Sequence, residues 1–371
     1  MKLLDVLSEA VGKSLYSPAD VTTGSTHVRD SINHKRVMSI VLLALLPCIL
    51  MALWNSGYQA NLTLSQMLAA GQIDSLPGMS DYTSLSANML KGLGIFLPLL
   101  IVTMLTQAFW VALFASMRGK AIGSGFLVTS VLIVLLMPPT APWWQVAIAA
   151  SFGVVIGREI FGGTGMNFLP PALVSWVFMY MAYPQSISGD AVWTAVDGYT
   201  GATPLTMALG DGVSSLAAQG ITWQSAFLGT IPGTMGETSA LACLFGAVIL
   251  LITGIASWRI IVSILIGVVA LSSILGISNP EAMGPAWHLV LGGLAFGVVF
   301  LATDHSAAAM TVKGQWISGI LIGLMIVTVR VFNPMMPESV GMIILFGSVF
   351  SPLVDRLVVN AHIKKRKMRH V

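Results

Sequence analysis

The feature that most constrains this chain is a succession of ten apolar stretches, each roughly long enough to cross a lipid bilayer as a helix. A helix needs about 20 mostly apolar residues to span the hydrocarbon core. Only 9% of the 371 residues are charged, whereas soluble domains carry about 25%. The sequence therefore predicts an all-α integral membrane protein with about ten transmembrane helices. The predicted spans are residues 37–55, 92–116, 123–138, 143–161, 168–184, 238–256, 259–276, 286–303, 315–332 and 339–357.

The placement of the basic residues predicts how the chain is threaded through the membrane. Ten spans put both termini on one side, and all Lys and Arg residues except Lys91 and Arg330 then lie on one face. Cytoplasmic loops are enriched in Lys and Arg, so this face and both termini are predicted to be cytoplasmic. The predicted segments are a cytoplasmic N-terminus, a five-helix half, an external loop, a second five-helix half and a basic cytoplasmic tail, at residues 1–36, 37–184, 185–237, 238–357 and 358–371.

A weak similarity between the two halves indicates an internal repeat. Trp144 precedes Arg158 by 14 residues, and Trp316 precedes Arg330 by the same spacing. Each pair follows an apolar span and lies in a glycine-containing stretch. The predicted threading places one arginine inside and the other outside, as two inverted five-helix repeats would require. Two matching spacings also arise by chance, which is the alternative explanation.

The external loop contains the most distinctive motif of the chain, Asp197-Gly-Tyr-Thr-Gly-Ala-Thr203. No Lys or Arg lies between Arg158 and Arg259, so the predicted threading puts this motif on the side opposite the cytoplasm. Glycine lets the backbone approach a bulky group closely, and the hydroxyl of Thr203 is a chemically suitable attachment point for a phosphoester. The alternative is an ordinary polar turn, which Gly-Ala-Thr alone usually indicates.

Three further positions carry side chains suited to ligand chemistry. Asn167 follows the glycine-rich break 162–165, where its amide offers a donor and an acceptor to a flavin ring edge; a simple Gly/Pro turn is the alternative. Asp304 and Asp355 lie at span ends, and carboxylates in or near the membrane are commonly functional. Their oxygens suit Na⁺, while hydration at the interface, or pairing of Asp355 with Arg356, is the alternative.

Several classes of function are excluded for the chain acting alone. Two cysteines, Cys48 and Cys243, are too few to ligate an iron–sulfur cluster without other chains. The glycine spacing in residues 162–165 does not match a dinucleotide-binding fingerprint, and no βαβ unit is predicted around it. Nucleic-acid binding would need a soluble domain, which the sequence does not predict. The chain is therefore expected to act with partner subunits.

The loop motif resembles the flavinylation motif Asp-x-x-Ser/Thr-Gly-Ala-Thr of the membrane subunits of sodium-pumping NADH:quinone oxidoreductase and the related Rnf complexes. Six further segments are similar to the B subunit of the sodium-pumping family, and the similarity covers nearly residues 15–369. They favour this B subunit over the D subunit of Rnf, which shares the flavin motif but less of the rest. These segments are His27-Val-Arg-Asp-Ser31, Phe161-Gly-Gly-Thr-Gly165, Ile187-Ser-Gly-Asp190, Gly254-Ile-Ala-Ser-Trp-Arg-Ile260, Trp287-His-Leu-Val-Leu-Gly-Gly293 and Ala302-Thr-Asp304.

The resemblance implies membership of a six-subunit complex of the bacterial inner membrane that passes electrons from NADH to ubiquinone and exports Na⁺. It implies that Thr203 carries FMN covalently through its phosphate after modification by a flavin transferase. It also implies a noncovalent riboflavin near Asn167, a quinone site, and a Na⁺ pathway that includes Asp304 and Asp355. The other residues of the implied attachment motif are Asp197, Gly198, Thr200, Gly201 and Ala202.

The chain departs from this family pattern in two segments. The family often has Arg-Asn-Phe-Leu-Asn where this chain has Met166-Asn-Phe-Leu-Pro170, and Gly-Gly-Phe-Trp-Glu where it has Gln107-Ala-Phe-Trp-Val111. The first departure removes an expected amide contact. The second removes a proposed cation ligand and changes glycines in a region linked to quinone binding. Two other functions also fit parts of the pattern: an Rnf-type ferredoxin:NAD oxidoreductase subunit, and a secondary transporter or channel without redox chemistry.

Overall fold

A computed structural model of the protein describes residues 34–75, 81–119, 125–278, 283–304, 308–333 and 336–368. The regular structure of these residues is entirely helical, as the apolar stretches predict. The predicted N-terminal segment 1–36 lies, apart from its last three residues, outside the described residues. The α-helices are α1 His34–Ala69, α2 Leu85–Arg118, α3 Phe126–Leu136, α4 Trp143–Val154, α5 Pro171–Ala182, α6 Pro204–Gly210, α7 Val213–Ala218, α8 Trp223–Leu228, α9 Ala240–Ile252, α10 Trp258–Ser278, α11 Pro285–Val290, α12 Leu294–Phe296, α13 Val312–Phe332 and α14 Val340–Lys367.

Five of these helices, namely α1, α2, α10, α13 and α14, are long and apolar enough to cross a membrane. Other predicted spans contain shorter apolar helices, of which α3 has 11 residues. At 1.5 Å per residue, α3 is about 16 Å long, roughly half the thickness of the hydrocarbon core. The chain is thus a multi-pass membrane protein, while the count of ten full spans and the position of the termini stay predictions.

The predicted spans 37–55 and 92–116 place an external loop at residues 56–90, and this prediction is wrong for most of that stretch. Helix α1 continues to Ala69, and α2 already begins at Leu85. The polar residues that lowered the hydropathy are buried and bonded within the protein: Asn55 donates to the carbonyl of Ile231 at 2.9 Å, and Asn61 donates to Asn88 at 2.9 Å. A buried polar group tolerates burial when it is hydrogen-bonded, so polarity here did not mark a helix end.

Helices α1 and α2 cross at two glycines that allow their backbones to touch. A Cβ atom added to Gly57 would collide with the carbonyl oxygen of Asn88 on α2. A Cβ atom added to Gly92 would collide with the carbonyl oxygen of Leu53 on α1. Small residues at such crossings permit the close packing that holds membrane helices together.

We expect Gly92→Ala to destabilise the protein by about 1–3 kcal/mol, because the new methyl group must force the two backbones apart. Gly94 is a matched control on the same helix, since nothing lies within 4 Å of its added Cβ. Gly94→Ala should be neutral or slightly stabilising, because alanine favours helix. Thermal unfolding in detergent measures both variants. Equal effects of the two substitutions would contradict this account of the crossing.

The short helix α3 ends inside the protein, where another segment satisfies its last carbonyl groups. The final carbonyls of a helix have no partner within it. Here the backbone N–H of Gly236 donates to Leu135 at 2.8 Å, and the N–H of Met235 donates to Met137 at 3.2 Å. Residues 235–236 lie shortly before α9, which begins at Ala240, so the C-terminus of α3 packs in the interior against the segment that leads into α9. Non-helical backbone at membrane depth is tolerated when it is buried in this way.

A second break interrupts the predicted span 286–303. Helix α11 ends at Val290, Leu291 is extended, and Gly292 and Gly293 both have a φ of +67° before α12 begins. The side chain of Arg330, on α13, fills this break. Its guanidinium donates to the carbonyls of His288 at 3.1 Å, Leu291 at 3.0 Å and Gly292 at 2.6 Å. Arg330 is fully buried, which the predicted threading, with Arg330 on the external face, does not indicate.

The structure adds another similarity between the two halves. The sequence Phe-Gly-Val-Val occurs at residues 152–155 and again at 296–299, and each copy leads into a π-helical turn, at Val155–Glu159 and Gly297–Leu301. This match aligns the two halves in a different register from the match of Trp144 and Arg158 with Trp316 and Arg330. The inverted five-helix repeat therefore stays a prediction.

Candidate functional site

Thr203 begins helix α6 and is buried. Its side-chain oxygen accepts a hydrogen bond from the backbone N–H of Thr206 at 3.2 Å, and the two hydroxyls lie 2.5 Å apart. A threonine in this position caps the free N–H groups at the start of a helix. The side chain is 3% exposed, so a group esterified to this hydroxyl must displace Thr206 and extend beyond the local packing.

The residues before Thr203 form an exposed turn. Asp197, Gly198 and Thr200 are exposed, whereas Gly201 and Ala202 are partly buried. Gly198 has a φ of +80°, a conformation that favours glycine. The motif is anchored where Gly201 donates its N–H to the carbonyl of Asp190 at 2.7 Å. The turn therefore runs from the surface into the interior, and Thr203 is its first buried residue.

The predicted loop 185–237 is not an unstructured connection. It contains α6, α7 and α8, and their apolar side chains pack against the broken helix α11. Leu205, Leu216 and Ala226 are buried in this small cluster together with Leu291. The cluster holds Thr203 beside the helix break.

Thr203 also lines a small cavity that the sequence analysis did not predict. Glu237 and Glu338, which are 101 positions apart in the chain, both line this cavity. Its free volume is about 20 Å³, room for about one water-sized particle. The broken helix forms one wall, because a Cβ added to Gly293 would meet the carboxylate of Glu237. The other lining residues are Pro204, Leu205, Ile231, Pro232, Gly233, Thr234, Thr238, Val290, Leu291, Gly292 and Gly293.

Glu237 lies in the loop before α9 and is the best-defined charge of the cavity. Its carboxylate accepts a hydrogen bond from the hydroxyl of Thr234 at 2.6 Å. Burial raises the pKa of Glu237 to about 7, against the opposing effects of the Thr234 hydrogen bond and the charge of Arg330. Neither Glu237 nor Glu338 is among the site residues predicted from the sequence.

Asn167 follows the π-helical turn that extends α4, and it does not line the cavity of Thr203. Gly162, Gly163 and Gly165 have φ values of +117°, +98° and +90°, so the predicted glycine-rich break is a true turn. Asn167 is partly buried and donates to the carbonyl of Leu169 at 3.0 Å. The preceding π-helical turn is fixed by Glu159, which binds Arg118 at 2.8 Å and Arg158 at 3.1 Å.

Two exposed aromatic residues, Phe161 and Phe168, precede and follow Asn167 in the sequence. The rings of Phe161 and Phe168 contact each other edge to face, with centroids 4.8 Å apart. An amide beside aromatic rings at the surface of the helices is suited to a flat heteroaromatic ring system.

Asp355 joins helix α14 to the start of α13. Its carboxylate accepts from the N–H of Met310 at 2.7 Å and from the N–H and hydroxyl of Thr311 at 3.0 and 2.5 Å. Thr311 in turn caps α13. Asp304 is partly buried and follows the π-helical turn that ends at Leu301. The neighbouring His305 lies outside the described residues.

Two of the predicted site residues, Thr203 and Asp355, lie toward opposite ends of helix α13. Asp355 is bound at the N-terminal end of α13, and Arg330, beside the Thr203 cavity, lies in its last turn. A helix of 21 residues is about 31 Å long. The structure therefore separates Thr203 from Asp355 by about the thickness of a membrane, and it does not bring the predicted residues into one site.

The fold and the cavity define a multi-pass helical membrane protein in which broken helices enclose buried charges. A model of the NQR2, RnfD, RnfE family matches residues 21–364. The chain belongs to this family.

Curated relatives resemble the chain over almost its whole length. It is 49% identical to a protein of Ectopseudomonas mendocina and 50% identical to one of Azotobacter vinelandii, with 98% of this chain and 94% of each relative covered. A Pseudomonas aeruginosa protein is 48% identical with the same coverage. Each of these relatives is named as the B subunit of a Na⁺-translocating NADH-quinone reductase.

Proposed function

We propose that the chain is the B subunit of a Na⁺-translocating NADH:quinone reductase in a bacterial inner membrane. The observation that carries this proposal is the identity of about half of all positions to proteins of that name, over 98% of the chain. The family as a whole also includes RnfD and RnfE. The names of these relatives favour the NADH:quinone reductase over a ferredoxin-coupled Rnf complex.

Within this function, Thr203 carries FMN through a phosphoester. The chemistry of the position is suitable, because a hydroxyl follows an exposed turn with a left-handed glycine at residue 198. The cavity of about 20 Å³ is too small for a flavin, since pockets for molecules of that size measure roughly 300–1,000 Å³. The ring system would therefore lie outside, over the turn formed by Asp197, Gly198 and Thr200.

A noncovalent riboflavin is assigned to a separate site near Asn167, on the cytoplasmic side of the predicted threading. The amide of Asn167 and the exposed rings of Phe161 and Phe168 support this assignment. Met166 is exposed beside them and offers no amide or charge. The flavins supply the redox chemistry when bound, and the protein holds them on opposite sides of the membrane.

Asp304 and Asp355 belong to the Na⁺ pathway in this proposal. Both lie near the end of the molecule that carries Arg259 and Lys313, which is the cytoplasmic side of the predicted threading. Asp355 also has a clear structural role, because three hydrogen bonds fix it to the start of α13. A passing ion at Asp355 would therefore also disturb the cap of this helix.

Activity requires partner subunits. The chain supplies neither an NADH fingerprint nor iron–sulfur ligands, so the NADH-oxidising centres belong to other chains of a six-subunit complex. A flavin transferase must modify Thr203 before the complex works, and quinone is the electron acceptor.

The test is to purify the chain from its host together with the subunits that accompany it. We expect NADH-driven quinone reduction that is stimulated severalfold by Na⁺, and a fluorescent flavin that stays on the chain in a denaturing gel. Reduction driven by ferredoxin instead would favour the Rnf-type function. Absence of both redox activity and bound flavin from an intact complex would favour a transporter.

A further inference from the structure

The cavity beneath Thr203 is bounded by more acidic than basic side chains. Its walls include the carboxylates of Glu237 and Glu338, and the only guanidinium that bounds it among the described residues is that of Arg330. Two carboxylates and one guanidinium leave one negative charge to be balanced. An unbalanced buried charge is strongly destabilising, so a proton or a small cation must complete the cluster.

The hydrogen bonds of Arg330 do not go to the carboxylate oxygens of Glu237 or Glu338. Its hydrogen bonds go to the carbonyls of His288, Leu291 and Gly292, which repair the break between α11 and α12. Thr234 donates one hydrogen bond to Glu237. A carboxylate has about four acceptor positions, so acceptor positions remain for another ligand.

A second, independent feature points to a ligand in the same place. The hydroxyl oxygen of Thr238 is buried, with the residue 4% exposed, and it lines the cavity. Within the described part of the chain this oxygen has no hydrogen-bonding partner. An unpaired buried hydroxyl costs about 1–3 kcal/mol, and a bound ion would remove that penalty.

We propose that this cavity binds one small monovalent cation, coordinated by Glu237, Glu338 and the hydroxyl of Thr238. Hard oxygen ligands suit an alkali cation, and a free volume of about 20 Å³ admits one dehydrated ion. The surrounding broken helices are typical of ion sites in membrane transport proteins. The site is distinct from Asp304 and Asp355, which lie toward the other end of α13.

The choice of Na⁺ as the first probe rests on the proposed function, whereas the proposal of a cation site is argued from the residues that line the cavity. The chain, purified with its accompanying subunits, is titrated with NaCl against choline chloride at constant ionic strength. The readout is the thermal midpoint, because a ligand that binds the folded state raises it. This readout does not depend on redox activity or on flavin, so the two proposals fail separately.

The critical variant is Thr238→Val, which replaces the hydroxyl by a methyl group of similar size. We expect the Na⁺ concentration that produces half of the maximal thermal shift to rise on the order of tenfold. Losing one contact about as strong as a hydrogen bond weakens binding by about this factor. Ser339→Ala is the matched control, since the hydroxyl of Ser339 is also buried and unpartnered among the described residues but does not line the cavity. It should leave the Na⁺ dependence unchanged.

Glu338→Gln supplies an independent variant, since it keeps the shape of the side chain and removes its charge. It should weaken the Na⁺ response at least as much as Thr238→Val. The proposal is overturned if Thr238→Val keeps the wild-type Na⁺ dependence, which would mean that a proton or a water completes the cluster. It is also overturned if Ser339→Ala weakens the response as much as Thr238→Val.

Discussion

Thr203→Ala is expected to abolish covalent flavin on this chain, because the variant lacks the hydroxyl oxygen at which the proposed phosphoester would form. The expected result is all or none: the peptide that contains residue 203 carries a mass increase of FMN less water in the wild type, and carries none in the variant. Mass spectrometry of the chain purified from its host, which must contain an active flavin transferase, measures this directly.

Thr206→Ala is the matched control for this experiment. It removes the hydroxyl that lies 2.5 Å from the Thr203 oxygen but leaves the attachment point itself. Flavin should persist on Thr206→Ala, because Thr206 only competes for the Thr203 hydroxyl in the unmodified state. An adduct that survives in Thr203→Ala, or that disappears only in Thr206→Ala, would place the attachment elsewhere in the loop.

The helices could be predicted from the sequence, because apolar side chains dominate wherever a segment faces lipid or core. Their lengths could not. The polar residues after the predicted span 37–55 made the second half of α1 look like a loop. Asn61 is nevertheless buried there and hydrogen-bonded to Asn88, as Asn55 is to Ile231. Conversely, the apolar composition gave no sign that α3 ends at Leu136. The N–H groups that satisfy the carbonyls at this end come from residues 235–236, which are about 100 positions away in the sequence.

The candidate site was predictable only where it is local in sequence. The motif that ends at Thr203 is continuous, so its exposed turn and its hydroxyl could be recognised together. Glu237, Glu338 and Arg330 come together only through folding, and no spacing rule relates them. A signal was present in the paired Gly292 and Gly293 within an apolar span, since such glycines mark possible breaks, but it did not identify the arginine that fills the break.

Arg330→Met is expected to have the largest effect on folding of any single substitution considered. It would leave the carbonyls of His288, Leu291 and Gly292 without their donors, and it would leave Glu237 and Glu338 without a neighbouring positive charge. Breaking a buried charge cluster by removing one partner costs about 3–5 kcal/mol, a large fraction of a typical stability of roughly 5–15 kcal/mol. The measurement is the yield of monodisperse protein in detergent, followed by its thermal midpoint.

Two further variants separate the charge of Arg330 from its hydrogen bonds. Arg330→Lys keeps the charge but replaces the planar fork by a single ammonium group, which cannot reach all three carbonyls in the same geometry, so it should recover only part of the stability. Arg356→Met is the control, because Arg356 is exposed on α14 and exposed charges contribute little. If Arg330→Met were as stable as Arg356→Met, the break between α11 and α12 would need no support from α13. The assignment of Arg330 as its structural partner would then be wrong. If Arg330→Lys matched the wild type, charge alone would hold the cluster, and the hydrogen bonds to the broken helix would be secondary.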